Sequence, residues 1–186
     1  MQSTATLVLP GWQSSGAEHW QTRWEALHAC TRVQQHDWHW PQRGDWIVQL
    51  EEAVLASAAP VRLAAHSLGC HLVAAWAAIS QHTGKVQGAL LVAPPAIDRP
   101  DMPANLHSWR KPALQLLPFP SLLVASTDDP FCALGEAQVL AAAWGSGLFD
   151  AGNCGHINAE SGLGDWPHGW QLLCDLGSEA GADKNP

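Results

Sequence analysis

Short apolar runs and longer amphipathic stretches alternate along this chain. Each short run is bounded by Gly, Pro or polar residues, which is typical of a buried strand. These runs predict six strands, at residues 5–9, 31–35, 61–65, 86–93, 120–126 and 147–151. Stretches with apolar residues at helical spacing lie between most of them. Because apolar strands alternate with helices, the pattern predicts an α/β fold. Helices should cover both faces of a mostly parallel sheet, giving a three-layer α/β/α sandwich.

Several predicted helices carry start signals or a recognisable buried face. Ser15 and Glu18 have the spacing of a capping box for the first helix. Its buried face is expected to contain the residues at i, i+4 and i+7: Trp20, Trp24 and Leu27. Asp45 is expected to cap the second helix, whose buried residues should be Ile47, Leu50 and Val54. The final helix should begin near Pro167, since Pro is tolerated in a first turn.

Length, composition and charge restrict the class of protein. The 186 residues, 47% hydrophobic and 14% charged, predict one globular domain over residues 1–177 and a disordered polar tail at 178–186. A net charge of −8 with scattered Lys and Arg argues against nucleic acid as a partner. No apolar run is long enough to span a bilayer, so no membrane association is expected. Without a signal peptide, the five irregularly spaced cysteines are expected to be reduced thiols in the cytoplasm.

The chemistry centres on the pentapeptide Ala65-His66-Ser67-Leu68-Gly69, which joins a predicted strand to a predicted helix. A serine between small residues at such a turn is typical of a nucleophile elbow. The helix N-terminus behind Ser67 offers unpaired N–H groups to a developing oxyanion. A serine that merely caps the helix would look the same. The five residues alone therefore do not decide between the two roles.

An acid and a base follow later strands in the order that a hydrolase requires. A serine hydroxyl needs a base, and the base needs an orienting carboxylate. Asp128 and Asp129 follow the fifth strand, and either could be the acid. His156 follows the sixth strand and is the best candidate for the base. The chain order Ser, Asp, His is that of α/β-hydrolases, which favours a catalytic Ser67.

Other arrangements of reactive residues fit less well. His66 and His71 flank the elbow, but the sharp turn should direct His66 away from Ser67. His36 and His39 have no evident third metal ligand, and Cys132, Cys154 and His156 match no familiar zinc spacing. Cys154 as nucleophile would have only His156 as its base. No metal and no organic cofactor are therefore expected.

The loop after the first strand should complete the site. The N–H of Leu68, directly after the serine, is the expected first oxyanion donor, and that of Trp12 the second. Gly11 permits close backbone approach to substrate, and the Trp12 ring can form a site wall. Trp38 and Trp109 are further candidates for an apolar acyl pocket. Residues 94–112 could shape the rim of the site, but a simple connection is slightly favoured.

Four stretches together resemble the small, lidless α/β-hydrolase family of retinoblastoma-binding protein 9 and its bacterial relatives. They are Leu7-Val8-Leu9-Pro10-Gly11-Trp12, the elbow, Ser126-Thr127-Asp128-Asp129-Pro130-Phe131, and Gly155-His156-Ile157-Asn158-Ala159-Glu160-Ser161-Gly162. The resemblance covers nearly the whole chain. It implies a reduced core with strand order 2-1-3-4-5-6 and no lid. It also implies Ser67 as nucleophile, His156 as base and Asp129, in preference to Asp128, as orienting acid.

The resulting hypothesis is a cytoplasmic serine hydrolase that acts on a small-molecule acyl substrate. The bond could be an ester, a thioester or an amide. Two alternatives remain open from the sequence: a non-catalytic binding or scaffold protein on a hydrolase fold, and an amidase or aminopeptidase. An aminopeptidase would need a site for a substrate amine, and the sequence shows none clearly.

Overall fold

The computed structural model describes residues 4–176, which form a parallel sheet between two layers of helices. The strands β1 to β6 are Ala5–Leu9, Thr31–Arg32, Val61–His66, Val86–Val92, Ser121–Ala125 and Gly147–Asp150. The helices α1 to α5 are Trp20–His28, Arg43–Ala56, Leu68–Ala77, Leu134–Trp144 and Pro167–Leu176. Short 3₁₀ helices cover Thr83–Lys85, Ala104–Trp109 and Ala159–Ser161. The tail predicted at 178–186 lies outside the described residues.

The six strands form one sheet with the order β2-β1-β3-β4-β5-β6, and every neighbouring pair is parallel. The predicted fold class and strand order are thus confirmed. Within residues 4–176 no separate lid domain is present. Because all strands run in one direction, the loops after β1, β3, β5 and β6 meet at one edge of the sheet, where ligands bind in open α/β folds.

Alternation along the strands divides the core into two layers. One layer joins the sheet to α2, α3 and α4, and its strand residues include Leu7, Leu63, Leu91 and Leu123. The other joins it to α1 and α5, and its strand residues include Val8, Ala64, Leu90 and Val124. Successive side chains of a strand point to opposite faces, so apolar residues at every position bury both faces. This is why the strand sequences are continuous apolar runs.

The tryptophans mainly fill these layers. Six of them are less than 2% exposed: Trp20, Trp24, Trp46, Trp76, Trp109 and Trp144. Their indole N–H groups are paired, for example that of Trp76 with Glu51 and that of Trp109 with the Pro41 carbonyl oxygen. A buried indole needs an acceptor, so each of these pairs also fixes a neighbouring loop or helix.

The starts of α1 and α2 differ from the sequence predictions. The N-cap of α1 is His19, whose Nδ1 accepts from the Gln21 N–H, while Ser15 donates to the Gln21 side chain. The predicted capping box of Ser15 and Glu18 is therefore wrong. The N-cap of α2 is Gln42, and Asp45 lies in the first turn instead. Tertiary hydrogen bonds lie at both observed starts: the Gln21 amide donates to the Ala64 carbonyl oxygen, and the Arg43 N–H donates to the Ser108 hydroxyl oxygen.

The buried faces of α1 and α2 each keep two of the three predicted residues and exchange the third. Leu27 is 53% exposed, and Gln21 is buried beside Trp20 and Trp24 because its amide donates to the Ala64 carbonyl oxygen. In α2, Trp46 is buried together with Leu50 and Val54, whereas Ile47 is only half-buried. The predicted start of α5 at Pro167 is confirmed. The predicted strand at residues 31–35 is shorter than expected and ends at Arg32, on one edge of the sheet.

Candidate active site

Ser67 occupies the sharp turn between β3 and α3. Its backbone has φ 55° and ψ −124°, a left-handed conformation that non-glycine residues rarely adopt. The turn is held by its own N–H, which donates to the Val92 carbonyl oxygen of β4. Glycine is required at position 69, two residues after the serine, because a Cβ there would overlap the Leu9 carbonyl oxygen. The surrounding strands therefore impose the strain that lifts Ser67 out of the sheet.

Ser67, His156 and Asp129 form a continuous row of polar contacts. His156 Nε2 lies 2.9 Å from Ser67 Oγ, and its Nδ1 lies 3.0 Å and 3.1 Å from the Asp129 carboxylate oxygens. The Asp129 side chain is only 2% exposed and the His156 side chain 11%. An ionised carboxylate only accepts hydrogen bonds, so Nδ1 carries the imidazole proton and Nε2 accepts from the serine hydroxyl.

Asp128 has a different position from its neighbour. Its Oδ1 accepts from the Ser126 hydroxyl and from the Gly155 N–H, at 2.8 Å and 2.7 Å. These hydrogen bonds lower the pKa of the Asp128 carboxyl below its usual value. Asp128 therefore joins the loop after β5 to the loop after β6, and it is Asp129 that contacts the His156 ring.

The backbone around His156 is held by donors from the buried interior. His66 Nε2–H donates to the His156 carbonyl oxygen at 2.8 Å, and the Trp20 indole donates to the Ile157 carbonyl oxygen at 2.9 Å. Ile157 has φ 48°, which is strained for a β-branched residue. The two buried donors thus fix the loop on both sides of the strained residue. His66 points away from Ser67. Its hydrogen bond to the His156 carbonyl oxygen could not be predicted from the local sequence.

Burial keeps the histidines next to the site neutral. Desolvation lowers the pKa of His66 well below its ordinary value and that of His71 to about 4. Burial, followed by the charge of Arg32, lowers the pKa of His19 to about 4. The His66 ring centroid lies 4.9 Å from that of His156. A neutral His66 therefore adds no positive charge beside the His156 ring.

The loop after β1 lies directly over the serine. A Cβ on Gly11 would approach Ser67 Cβ to 2.7 Å and Oγ to 3.1 Å, so only glycine fits this position without a shift. The Gln13 N–H donates to the Trp38 carbonyl oxygen, and the Trp12 indole to that of His39, which holds the loop in place. Within residues 4–176 the backbone N–H groups of Trp12 and Leu68 donate to no protein acceptor. Both residues line the same cavity as Ser67.

That cavity has a volume of about 500 Å³. One side, the polar wall, is formed by Ser67 and His156. Another part of the lining, the apolar wall, is formed by Ile97, Met102 and Leu106, which come from residues 94–112. The slightly favoured view of this segment as a simple connection is therefore wrong. Its proline-rich sequence has no helical or strand period, so only the folded chain reveals which of its side chains face the serine.

Other residues proposed for the site lie elsewhere. Trp109 is buried, and Trp38 packs edge-on against Trp46, so neither lines the cavity. The Cys154 thiol donates to the Ala151 carbonyl oxygen. Burial raises the pKa of Cys132 to about 12, which keeps its thiol protonated. Over residues 4–176 no group of three His, Cys, Asp or Glu side chains has the arrangement of a metal site.

Residues that sequence reasoning missed include Arg99, Asp101 and Phe131, which line the outer part of the cavity. The Phe131 ring packs against the His156 ring at a centroid distance of 4.6 Å. Phe131 is 50% exposed. In the sequence, the only signal for this residue was an aromatic directly after Asp-Asp-Pro. Nothing in the local pattern marked Arg99 or Asp101.

A strained elbow serine at the carboxyl edge of a six-stranded parallel sheet, in contact with a histidine from the loop after the last strand, defines an α/β-hydrolase. The chain belongs to the serine hydrolase family, whose model matches residues 6–175. The narrower resemblance to retinoblastoma-binding protein 9 stays a prediction.

Solved structures agree with this assignment. A putative YdeN-like hydrolase from Pectobacterium atrosepticum is 30% identical, with a TM-score of 0.84 over 96% of this chain and 92% of its own. The ydeN gene product from B. subtilis is 16% identical, with a TM-score of 0.72 over 95% and 100%. Esterase RhEst1 from Rhodococcus sp. ECU1013 is 14% identical, with a TM-score of 0.62 over 94% and 91%. The last two show a shared fold. No curated protein matches the sequence.

The helices of residues 4–176 are all too short or too polar to cross a membrane.

Proposed function

We propose that this serine hydrolase cleaves carboxylic esters through an acyl-enzyme formed on Ser67. Ser67 Oγ attacks the carbonyl carbon, and His156 takes its proton at Nε2 and returns it to the departing alkoxide. Asp129 holds the imidazole in the required tautomer and stabilises the imidazolium that forms. Water then attacks the acyl carbonyl with His156 again as base, and Ser67 Oγ leaves with the proton that His156 returns, which releases the carboxylic acid. The observation that carries the proposal is the 2.9 Å contact between Ser67 Oγ and His156 Nε2.

The burial of Asp129 supports this division of roles. A carboxylate that is 2% exposed and faces Nδ1 accepts from the Nδ1–H tautomer of the imidazole, which leaves Nε2 free to accept from the serine hydroxyl. The Phe131 N–H also donates to Asp129 Oδ1, at 2.9 Å, which fixes the carboxylate orientation. The same carboxylate then faces the positive charge that develops on the imidazole in the transition state.

The oxyanion is assigned to the backbone N–H groups of Trp12 and Leu68. Leu68 is the first residue of α3, where the helix leaves its N–H groups without internal acceptors. The close approach of Gly11 to Ser67 brings the loop that carries Trp12 over the nucleophile. Preorganised donors of this kind contribute about 10²- to 10³-fold each to the rate of acyl transfer. Gly11 and the Trp12 ring are proposed to contact the bound substrate.

Esters are favoured over aminoacyl amides because of the charges in the cavity. An aminoacyl substrate carries an ammonium group that needs an unpaired carboxylate. Of the described residues that line the cavity, Asp101 is the one carboxylate, and it is bound to Arg99. A non-catalytic binding protein would not need a strained serine in contact with an oriented imidazole. A cytoplasmic location is part of the same proposal and rests on the sequence alone.

Labelling with a fluorophosphonate probe tests the proposal. The wild-type protein should be labelled on Ser67 and should hydrolyse p-nitrophenyl hexanoate. Ser67→Ala should lose labelling and at least about 10⁴-fold in kcat. Ser57→Ala is a suitable control for serine loss, since the Ser57 hydroxyl donates to the Ala59 carbonyl oxygen in the loop before β3 and does not line the cavity. Unlabelled wild-type protein, or labelling that persists in Ser67→Ala, would contradict the proposal.

A further inference from the structure

We infer that the substrate carries a neutral, apolar acyl group of short to medium length, and that the Arg99–Asp101 ion pair at the cavity mouth excludes charged acyl groups. The inference rests on the proposed function. It goes further by naming the substrate class and two residues that set specificity.

The inner part of the cavity is apolar and belongs to the core. Ile97 is 3% exposed and Leu106 is 7% exposed, and both pack in the layer that contains α3. Met102 lies against the same layer and adds a flexible thioether side chain. A roughly spherical space of about 500 Å³ is roughly 10 Å across, which suits a small ligand. An apolar acyl chain gains free energy by entering this space, whereas a charged group would lose its hydration there.

The outer part of the cavity is charged but balanced. Arg99 Nε and Nη2 donate to the two carboxylate oxygens of Asp101 at 3.0 Å and 2.8 Å, a two-point contact. The Arg99 guanidinium lowers the pKa of the Asp101 carboxyl, so the pair stays ionised near neutral pH. The two side chains are 42% and 67% exposed and can be reached by a ligand.

The pairing leaves no unsatisfied charge for a substrate to meet. Besides Arg99 and Asp101, the described cavity-lining residues contain one ionisable side chain, that of His156, which contacts Ser67 and Asp129. An anionic substrate would have to displace Asp101 from Arg99, and a cationic one would have to displace Arg99 from Asp101. The two partners are only two residues apart in the chain, so each is present for the other at high effective concentration.

Single substitutions should release one charge at a time. Asp101→Asn leaves Arg99 without its carboxylate and should favour anionic acyl groups. Arg99→Gln leaves Asp101 without its guanidinium and should favour cationic acyl groups. The double variant Arg99→Gln/Asp101→Asn is neutral again and should show neither preference. The pair thus offers its own matched controls: Asp101→Asn keeps the side-chain size, and the double variant corrects for the shorter side chain of Arg99→Gln.

The experiment compares three p-nitrophenyl esters with the same leaving group: the neutral hexanoate, the anionic adipate monoester and the cationic 6-aminohexanoate. Wild-type kcat/KM should be highest for the hexanoate. Asp101→Asn should raise the adipate-to-hexanoate ratio about fivefold, the size expected of an exposed charge pair. Arg99→Gln should raise the 6-aminohexanoate-to-hexanoate ratio similarly, and 1 M NaCl should reduce both gains. A wild type that prefers either charged ester, or variants whose ratios do not change, would overturn the inference.

Binding separates this inference from the proposed function. The corresponding methyl esters are titrated calorimetrically into Ser67→Ala protein, alone and combined with each charge variant. If binding follows the charge pattern but the wild type hydrolyses no ester, the proposed function fails and only the charge selectivity of the cavity stands. If the wild type hydrolyses hexanoate but neither turnover nor binding follows the charge pattern, the inference alone fails.

Discussion

The two walls of the cavity are built by different means, although a buried histidine supports each. The polar wall is fixed by hydrogen bonds to strained backbone: His66 binds the His156 carbonyl oxygen and Trp20 that of Ile157. The apolar wall is held mainly by packing of Ile97 and Leu106 into the core. Among the described residues, one buried side chain also donates to the backbone of this wall: His71 Nε2–H binds the Pro95 carbonyl oxygen at 2.8 Å.

The difference matches the roles proposed above for the two walls, a base in the polar wall and an acyl pocket in the apolar wall. A base must keep its ring nitrogen within hydrogen-bond distance of the serine, since displacement of about 1 Å can cost roughly 10² in rate. Directional hydrogen bonds provide that accuracy. An acyl chain has no fixed polar atoms to align, so non-directional packing suffices for it. Substitutions in the polar wall should therefore change kcat, and those in the apolar wall should change KM according to acyl length.

The largest effect is expected from Asp129→Asn. An asparagine can present its amide to Nδ1 and stabilise the wrong tautomer, so kcat should fall about 10⁴-fold while KM changes little. The loss should be the same for acetate and hexanoate esters. Steady-state kinetics with both esters measures it.

Asp128→Asn is the matched control. Its Oδ1 can still accept from Ser126 and Gly155, so the loss should stay below about tenfold, the value of one net hydrogen bond. A larger loss in Asp128→Asn than in Asp129→Asn would reverse the assignment of the acid.

A smaller effect, again in the polar wall, is expected from His66→Leu. The His156 carbonyl oxygen would lose its donor next to strained Ile157, and kcat should fall about 10- to 100-fold with KM nearly constant. His66→Gln keeps an N–H donor and should restore most of the activity. The kcat and KM values, read beside the thermal midpoints of both variants, separate positioning from stability. An equal loss in Leu and Gln variants of unchanged midpoint would contradict a positioning role.

The smallest effect is expected from His71→Leu, which removes a support of the apolar wall. Pro95 would lose the hydrogen bond that anchors the start of residues 94–112, and KM for the hexanoate ester should rise about fivefold. The acetate ester, which barely reaches this wall, should be affected less, and His71→Gln should recover the wild-type value. A fall in kcat that is independent of acyl length would show that the two walls are not separable in this way.

The architecture could be predicted from sequence because its signals are local. Continuous apolar strands bounded by Gly and Pro indicated the parallel sheet, and the chain order of Ser67, an aspartate at 128 or 129, and His156 followed from their places after three strands. The starts of α1 and α2 could not be predicted, since Gln21 of α1 contacts Ala64, 43 residues away, and Arg43 of α2 contacts Ser108, 65 residues away.

The sequence by itself thus determined the layered sheet, the elbow and the kinds of reactive residue at one edge, because strand periodicity and turn geometry act over a few residues. Only the tertiary structure decided which aspartate faces His156 and which side chains of residues 94–112 line the cavity. It also decided which carbonyl oxygens the two histidines that flank the elbow bind: His66 binds that of His156 in the polar wall, and His71 binds that of Pro95 next to the apolar wall. These choices depend on contacts between loops far apart in the chain, and such contacts exist only after the sheet has brought the loops together.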